Sequence, residues 1–150
     1  MQAIFFYLEG WQLKRVNEYL GVALLQKSLV YLSMVAIDTF RALALSLPET
    51  TEQPHFEKTS FRVMKRIFAT LDTAKAQACV KLSEVDQDVF SSFNRSAIFP
   101  VPNKWGKQGW TLISLDAVGN DLVADALLTA YLGVAPKSLS NSLRDQDQAL

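Results

Sequence analysis

From residue 55 onward the apolar residues stop recurring at helical spacing and begin to alternate. Phe61 and Val63 alternate with Ser60 and Arg62. Ile67, Ala69 and Leu71 alternate with Phe68 and Thr70, and Ala78, Val80 and Leu82 with Cys79 and Lys81. Successive side chains on a strand point to opposite faces, so each run predicts a strand with one buried face. The connections, "MKR" at 64–66 and "DTAKAQ" at 72–77, are of hairpin length. Three strands joined in this way form an antiparallel sheet, and the rest of the chain has to fold around it.

The flanking segments return to a helical period. Ile37, Phe40, Leu43, Ala44 and Leu47 share one face of a helix that opens near Met34, and Pro48 stops it. "PETTEQP", 48–54, reads as a loop. "SEVD" at 83–86 is a variant capping box, with Ser83 as the cap and Asp86 in place of the usual Glu or Gln, and predicts a helix to about Phe93. Strands are expected over 98–101 and 110–115. Asp116 is placed to cap a last helix, whose stripe is Leu122, Val123, Ala126, Leu127, Ala130 and Tyr131, with Gly133 at its C-terminal cap. The polar end, "SLSNSLRDQDQAL", is expected to fray. Leu13, Val16, Leu20, Leu24 and Tyr31 predict one more helix, over about 10–32. The sum is an α+β fold, an antiparallel sheet with helices packed on one face, in the order helix, three strands, helix, two strands, helix, after an extra N-terminal helix.

Composition narrows the function classes. The chain has 150 residues, 49% of them hydrophobic, which suits one domain with one core. Lys+Arg and Asp+Glu both number 15, which counts against a strongly electrostatic DNA binder, although a local basic patch is compatible with zero net charge. One cysteine, Cys79, and one histidine, His55, exclude an internal disulfide and the common multi-Cys and multi-His metal sites. Asp86 and Asp88 do not share a helix face; Asp121 and Asp125 do, without a third ligand. No metal and no cofactor are expected, and phosphate-loop and dinucleotide motifs are absent. The apolar run "AIFFYL" lacks the flanks of a signal peptide, and no window reaches the length of a membrane span. The expected setting is cytoplasmic, away from membranes.

"PHFEKTSFRVMKRIFATL", "VKLS", "FPVPNKWGKQGWTLISLDAV" and "VAPKSL" stand in an order and spacing that resembles the MmcQ/YjbR family, over about Met34 to Leu139. The resemblance implies a compact, CyaY-like domain at 34–139, followed by a polar tail at 140–150. It also implies a DNA-binding role through a proposed double wing, with no catalytic residues to carry over. Two departures stand out. The Met64–Lys65–Arg66 hairpin lacks the glycine usual in the family, which puts its turn geometry in question. Residues 1–33 precede the family-like segment. They are either the product of an upstream start codon, with Met34 as the true start, or an added helix offering an apolar surface to a protein partner or a second copy.

The wing candidates are Lys58, Arg62, Lys65 and Arg66 around one hairpin, and Lys104, Trp105 and Lys107 in the 101–109 loop. Lysines hold phosphates and an exposed tryptophan stacks on a base. On the other reading Trp105 and Trp110 pack beneath the loop, Trp110 more so because it alternates with Leu112, while Gly106 and Gly109 serve turn geometry. A small-molecule pocket is the third option, lined by His55, Phe56, Arg62 and Trp110, with Glu52 and Glu57 close enough in sequence to favour a charged His55. Cys79 reads as a small strand residue, although Lys75 and Lys81 would favour its thiolate. The leading expectation is weak, largely non-sequence-specific, non-catalytic DNA binding; the alternatives are a protein-binding, chaperone-like module and the small-molecule binder.

Overall fold

The computed structural model describes residues 34–148. The expectations placed on residues 1–33 lie outside the described residues. The elements are α1 (Ile37–Leu45), β1 (Thr50–His55), β2 (Lys58–Val63), β3 (Arg66–Asp72), β4 (Gln77–Lys81), α2 (Glu84–Phe93), β5 (Ile98–Pro100), β6 (Trp110–Ser114), α3 (Asn120–Val134) and α4 (Lys137–Gln148). The six strands form one antiparallel sheet in the order β1-β2-β3-β4-β6-β5. The α+β class is as the sequence predicts, with one more strand and one more helix.

The core lies between one face of the sheet and the helices. α1 packs on β1 and α3, α3 on β3 and β4, and α2 on β5. Phe40 and Ala44 of α1 are fully buried, and Ile37, Leu43 and Leu47 pack around them, the helical face read from their spacing. Phe40 meets Phe61 edge-on, with ring centroids 5.7 Å apart. The phenol of the buried Tyr131 donates to the carbonyl of Pro48 at 2.8 Å, tying α3 to the end of α1. Ser83 caps α2 as expected: its Oγ accepts from the Asp86 N–H at 3.1 Å and donates to the Asp86 carboxylate at 2.6 Å.

Several local expectations are corrected. "TTEQPH" is a strand, not a loop. It pairs only with β2, so it is held by main-chain bonds at a sheet edge, where the missing N–H of Pro54 is tolerated. Phe68 does not alternate away from the core. The register steps from Phe61↔Ala69 to Arg62↔Ile67, leaving Phe68 as the extra residue of a β-bulge. It turns inward against Tyr131, at 5.6 Å and 89°, and Ile67 goes to the opposite face. Asp116 sits exposed in a 3-10 turn, and α3 starts four residues later behind Gly119, without a side-chain cap. Gly133 lies inside α3, and the stop signal is Pro136, which pushes Ala135 into an extended conformation. Residues 137–148 are helical rather than frayed: Leu139 and Leu143, four apart, pack on the core, and the Oγ of buried Ser140 donates to the Pro136 carbonyl at 3.0 Å.

The missing hairpin glycine does not open the β2–β3 turn. Met64 and Lys65 both take positive φ, 48° and 68°, the conformation of a type I′ turn. That turn matches the right-handed twist of the two strands, and here two L-residues bear its steric cost.

Candidate functional site

Two features stand out on the sheet: a rigid basic loop at one end, and a groove on the face away from the helices.

The loop joins β5 to β6. It is built close against the end of β4, and glycine is required at two points. A Cβ on Gly106 would lie 2.0 Å from the Val101 carbonyl oxygen, and one on Gly109 would lie 1.8 Å from that of Leu82. Gly109 also sits at φ 93°, in the left-handed region. The buried amide of Gln87, on α2, holds the loop from inside. Its Nε2 donates to Gly106 O at 3.1 Å, Thr111 Oγ1 at 2.9 Å and Trp110 O at 3.3 Å. Lys81 Nζ donates to the Gln108 carbonyl, and the Trp105 N–H to Asn103 Oδ1 at 2.8 Å. On this frame Trp105 is 48% exposed, with Lys104 Nζ 5.5 Å from its ring centroid.

The two tryptophans therefore divide the readings between them. Trp105 is a surface platform. Trp110 is half-buried but outside the core, contrary to the sequence expectation. It stands opposite Lys81, while Thr111 and Ile113, the other phase of the strand, face the helices. Both phases of "WTLIS" are apolar enough to be buried, so the period alone does not choose the face.

β3 begins, β4 ends and β6 begins at the same end of the sheet. The Met64–Lys65 turn and the 101–109 loop thus project from that end, three strand positions or roughly 14 Å apart at about 4.8 Å per strand. Lys65, Arg66, Lys104, Trp105 and Lys107 are brought to this end, all exposed. Lys58 and Arg62 are not with them. Lys58 lies at the opposite end, beside the β1–β2 turn. Arg62 is half-buried along β2, its Nε donating to Ser60 Oγ at 3.0 Å.

The groove has a volume of about 820 Å³. Ile67, Thr70, Cys79 and Trp110 line its floor. His55, Phe56, Glu57 and Lys58 close one end, and Val101 and Trp105 the other. It runs diagonally across the sheet, from the β1–β2 turn to the Trp105 loop. Of the residues named for a pocket, His55, Phe56 and Trp110 line this groove, and Arg62 is not part of the lining. Phe56 has φ 55° and its side chain is almost wholly in solvent, packed edge-on against His55 at 4.9 Å. Glu52, named from the sequence as a neighbour of His55, is engaged elsewhere: it accepts two bonds from Arg41, at 3.0 and 2.9 Å. This pairing raises the Arg41 pKa.

Burial raises the Cys79 thiol to about 11, against the pull of Lys58 and of a backbone bond at Thr111. The sequence reading named Lys75 and Lys81 as the cations near this thiol. Lys75 instead lies 3.9 Å from Asp72, and Lys81 is bonded to the loop.

Gln87 was missed by the sequence reading, which had no reason to separate this amide from the solvated polar residues of α2. The available signal was its place: Gln87 is three residues before Phe90, on the buried face of the helix. Elsewhere on α2, Val85, Val89 and Phe93 are exposed at a spacing of four. Among the described residues no group of three or more His, Cys, Asp or Glu side chains is placed to hold a metal, and no helix is long and apolar enough to cross a membrane.

Comparison with known proteins bears on the whole of this architecture. The YjbR family model matches residues 45–132, more than half of the chain. The fold is similar to the crystal structure of the Deinococcus radiodurans protein DR2400, which carries a DUF419 domain, another name for the same family. The TM-score is 0.60 at 21% identity, covering 77% of this chain and 88% of that one. No curated protein matches the sequence.

Proposed function

The chain belongs to the YjbR family, and from that premise we propose that it is a non-catalytic nucleic-acid-binding protein that uses the basic end of its sheet. The observation that carries the reading is the Lys104–Trp105 pair. An aromatic ring with a cation over it, half exposed on a loop pinned by Gln87, Gly106 and Gly109, is a preformed stacking surface. Lys65 and Arg66 project from the same end of the sheet and add phosphate contacts without adding sequence readout. The DNA-binding role implied by the family resemblance supplies the class of partner.

The charge balance sets the strength. Formal net charge is zero, so the long-range field is small and the four cations Lys65, Arg66, Lys104 and Lys107 act locally. Four phosphate contacts give a log–log salt slope of about −3.6 on duplex and −2.8 on single strands, so affinity falls roughly 50- to 150-fold between 50 and 200 mM salt. An exposed ring that stacks on any base favours single strands over duplex.

The test is fluorescence-anisotropy titration of labelled single-stranded and duplex oligonucleotides, with tryptophan emission followed in parallel. Replacing Lys65, Arg66, Lys104 and Lys107 together by Ala abolishes binding on this reading. Unchanged affinity of the quadruple variant rejects the two-loop surface.

A further inference from the structure

We propose that the groove on the open face of the sheet is a binding site for a small amphiphilic acid, with a flat aromatic or apolar body and one anionic head set toward Lys58. This goes beyond the nucleic-acid reading. It uses a different face of the sheet, and only Trp105, at the rim, belongs to both.

The first observation is the lining. Ile67 and Trp110 form an apolar floor with Cys79 between β3 and β6, and aromatic side chains stand at both ends, Phe56 and Trp105. A volume of about 820 Å³ lies within the range of small-molecule sites. Flat apolar walls with a few polar groups at one end select a flat body with one polar end.

The second observation is Phe56. A bulky residue at φ 55° in a tight turn is a conformational outlier where Gly, Asn or Asp would sit without strain. Phe56 is 95% exposed, so core packing does not repay that strain. Strain kept at a solvent-facing aromatic on the rim of a cavity is the pattern of a residue held for contact with a ligand.

The third observation is charge. Among the described residues Lys58 has no acidic partner within ion-pair distance, and the salt bridges are made by Arg41 and Lys75. Glu57 and His55 share its end of the groove. Lys58 lines the groove together with Cys79, so an anion lying over the floor has an unpaired cation at this end of the cavity.

The probe pair is 8-anilinonaphthalene-1-sulfonate and its neutral analogue N-phenyl-1-naphthylamine, titrated by fluorescence against the full chain. The expected result is saturable binding of both. Lys58→Met weakens the sulfonate about fivefold, the scale of a partly exposed ion pair, and leaves the neutral compound unchanged. Cys79→Phe fills the floor and removes both. Phe56→Gly weakens both while the melting temperature rises, so the site stays testable if Cys79→Phe fails to fold. Lys104→Ala with Lys107→Ala weakens oligonucleotide binding and halves its salt slope while sparing both probes, which separates the groove from the loop. Absence of saturable binding overturns the proposal. So does a Lys58→Met variant that affects both probes equally or neither, or a Phe56→Gly variant with unchanged probe affinity.

Discussion

Replacing Gln87 by Met keeps the length of the side chain and removes its hydrogen bonds, so it isolates what the buried amide does for the loop. The two N–H groups of Gln87 serve Gly106 O, Thr111 Oγ1 and, more weakly, Trp110 O. Each carbonyl keeps another donor: Gly106 O accepts from the Gly109 N–H at 3.0 Å, and Trp110 O from the Val101 N–H at 3.0 Å. The Thr111 hydroxyl still donates to Gly109 O at 3.0 Å. No acceptor is orphaned, so the loss is about two buried hydrogen bonds at roughly 1 kcal/mol each, or about 2 kcal/mol in all. At roughly 3 °C per kcal/mol for a chain of this size, the melting temperature falls by about 6 °C. The functional consequence is distinct from the stability loss. Trp105 loses its fixed position while all four cations remain, so oligonucleotide affinity drops at every salt concentration and the salt slope does not change. Thermal melts followed by tryptophan emission, together with anisotropy titrations at three salt concentrations, read both effects. A melting temperature within about 1 °C of the parent with unchanged affinity refutes the claim that Gln87 holds the loop.

Further outcomes follow from the strained turns and the buried thiol. Replacing Met64–Lys65 by Asn-Gly, the pair a type I′ turn prefers, raises stability by about 1–2 kcal/mol in urea titrations, and a lower midpoint contradicts the assigned turn. Cys79 alkylation is slow at neutral pH, and its rate rises to half-maximum near pH 11 rather than near the ordinary 9.0. Because folding raises this pKa, the thiol's contribution to stability is present in full below pH 9 and is lost as pH climbs through 11. Denaturant midpoints of the parent and of Cys79→Ala converging over that window check the sign. Tyr131→Phe removes the bond to the Pro48 carbonyl and costs about 1 kcal/mol by the same urea measurement.

The parts of the fold legible in the sequence are those whose burial follows a simple period. The face of α1 and the alternation of β2 and β4 put apolar residues where the core needs them, and the Ser83–Asp86 cap is a local hydrogen-bonding pattern. What stayed hidden has physical causes of another kind. β1 is held by main-chain pairing at an edge, so "TTEQPH" has no apolar face to reveal it. α4 needs only Leu139 and Leu143 to lie on the core, and they are lost among ten polar neighbours. The bulge at Phe68 and the phase of β6 are decided by pairing with other strands, which a single run does not contain. The same holds for the candidate sites. Lys65, Arg66, Lys104, Trp105 and Lys107 were nameable as residue types, but their arrival at one end of the sheet follows from strand order. The groove floor of Ile67, Thr70, Cys79 and Trp110 draws on three strands at once.

The most direct test of the nucleic-acid reading is the salt dependence of binding by the parent protein, compared with a Trp105→Ala variant that leaves every charge in place. The expected result is measurable single-strand binding at 50 mM salt with a log–log slope of about −3. Tryptophan emission is quenched on saturation, and Trp105→Ala weakens affinity by about 1–3 kcal/mol at unchanged slope. No binding at low salt, or binding indifferent to both salt and Trp105, would contradict the assignment of the basic end of the sheet as a nucleic-acid surface.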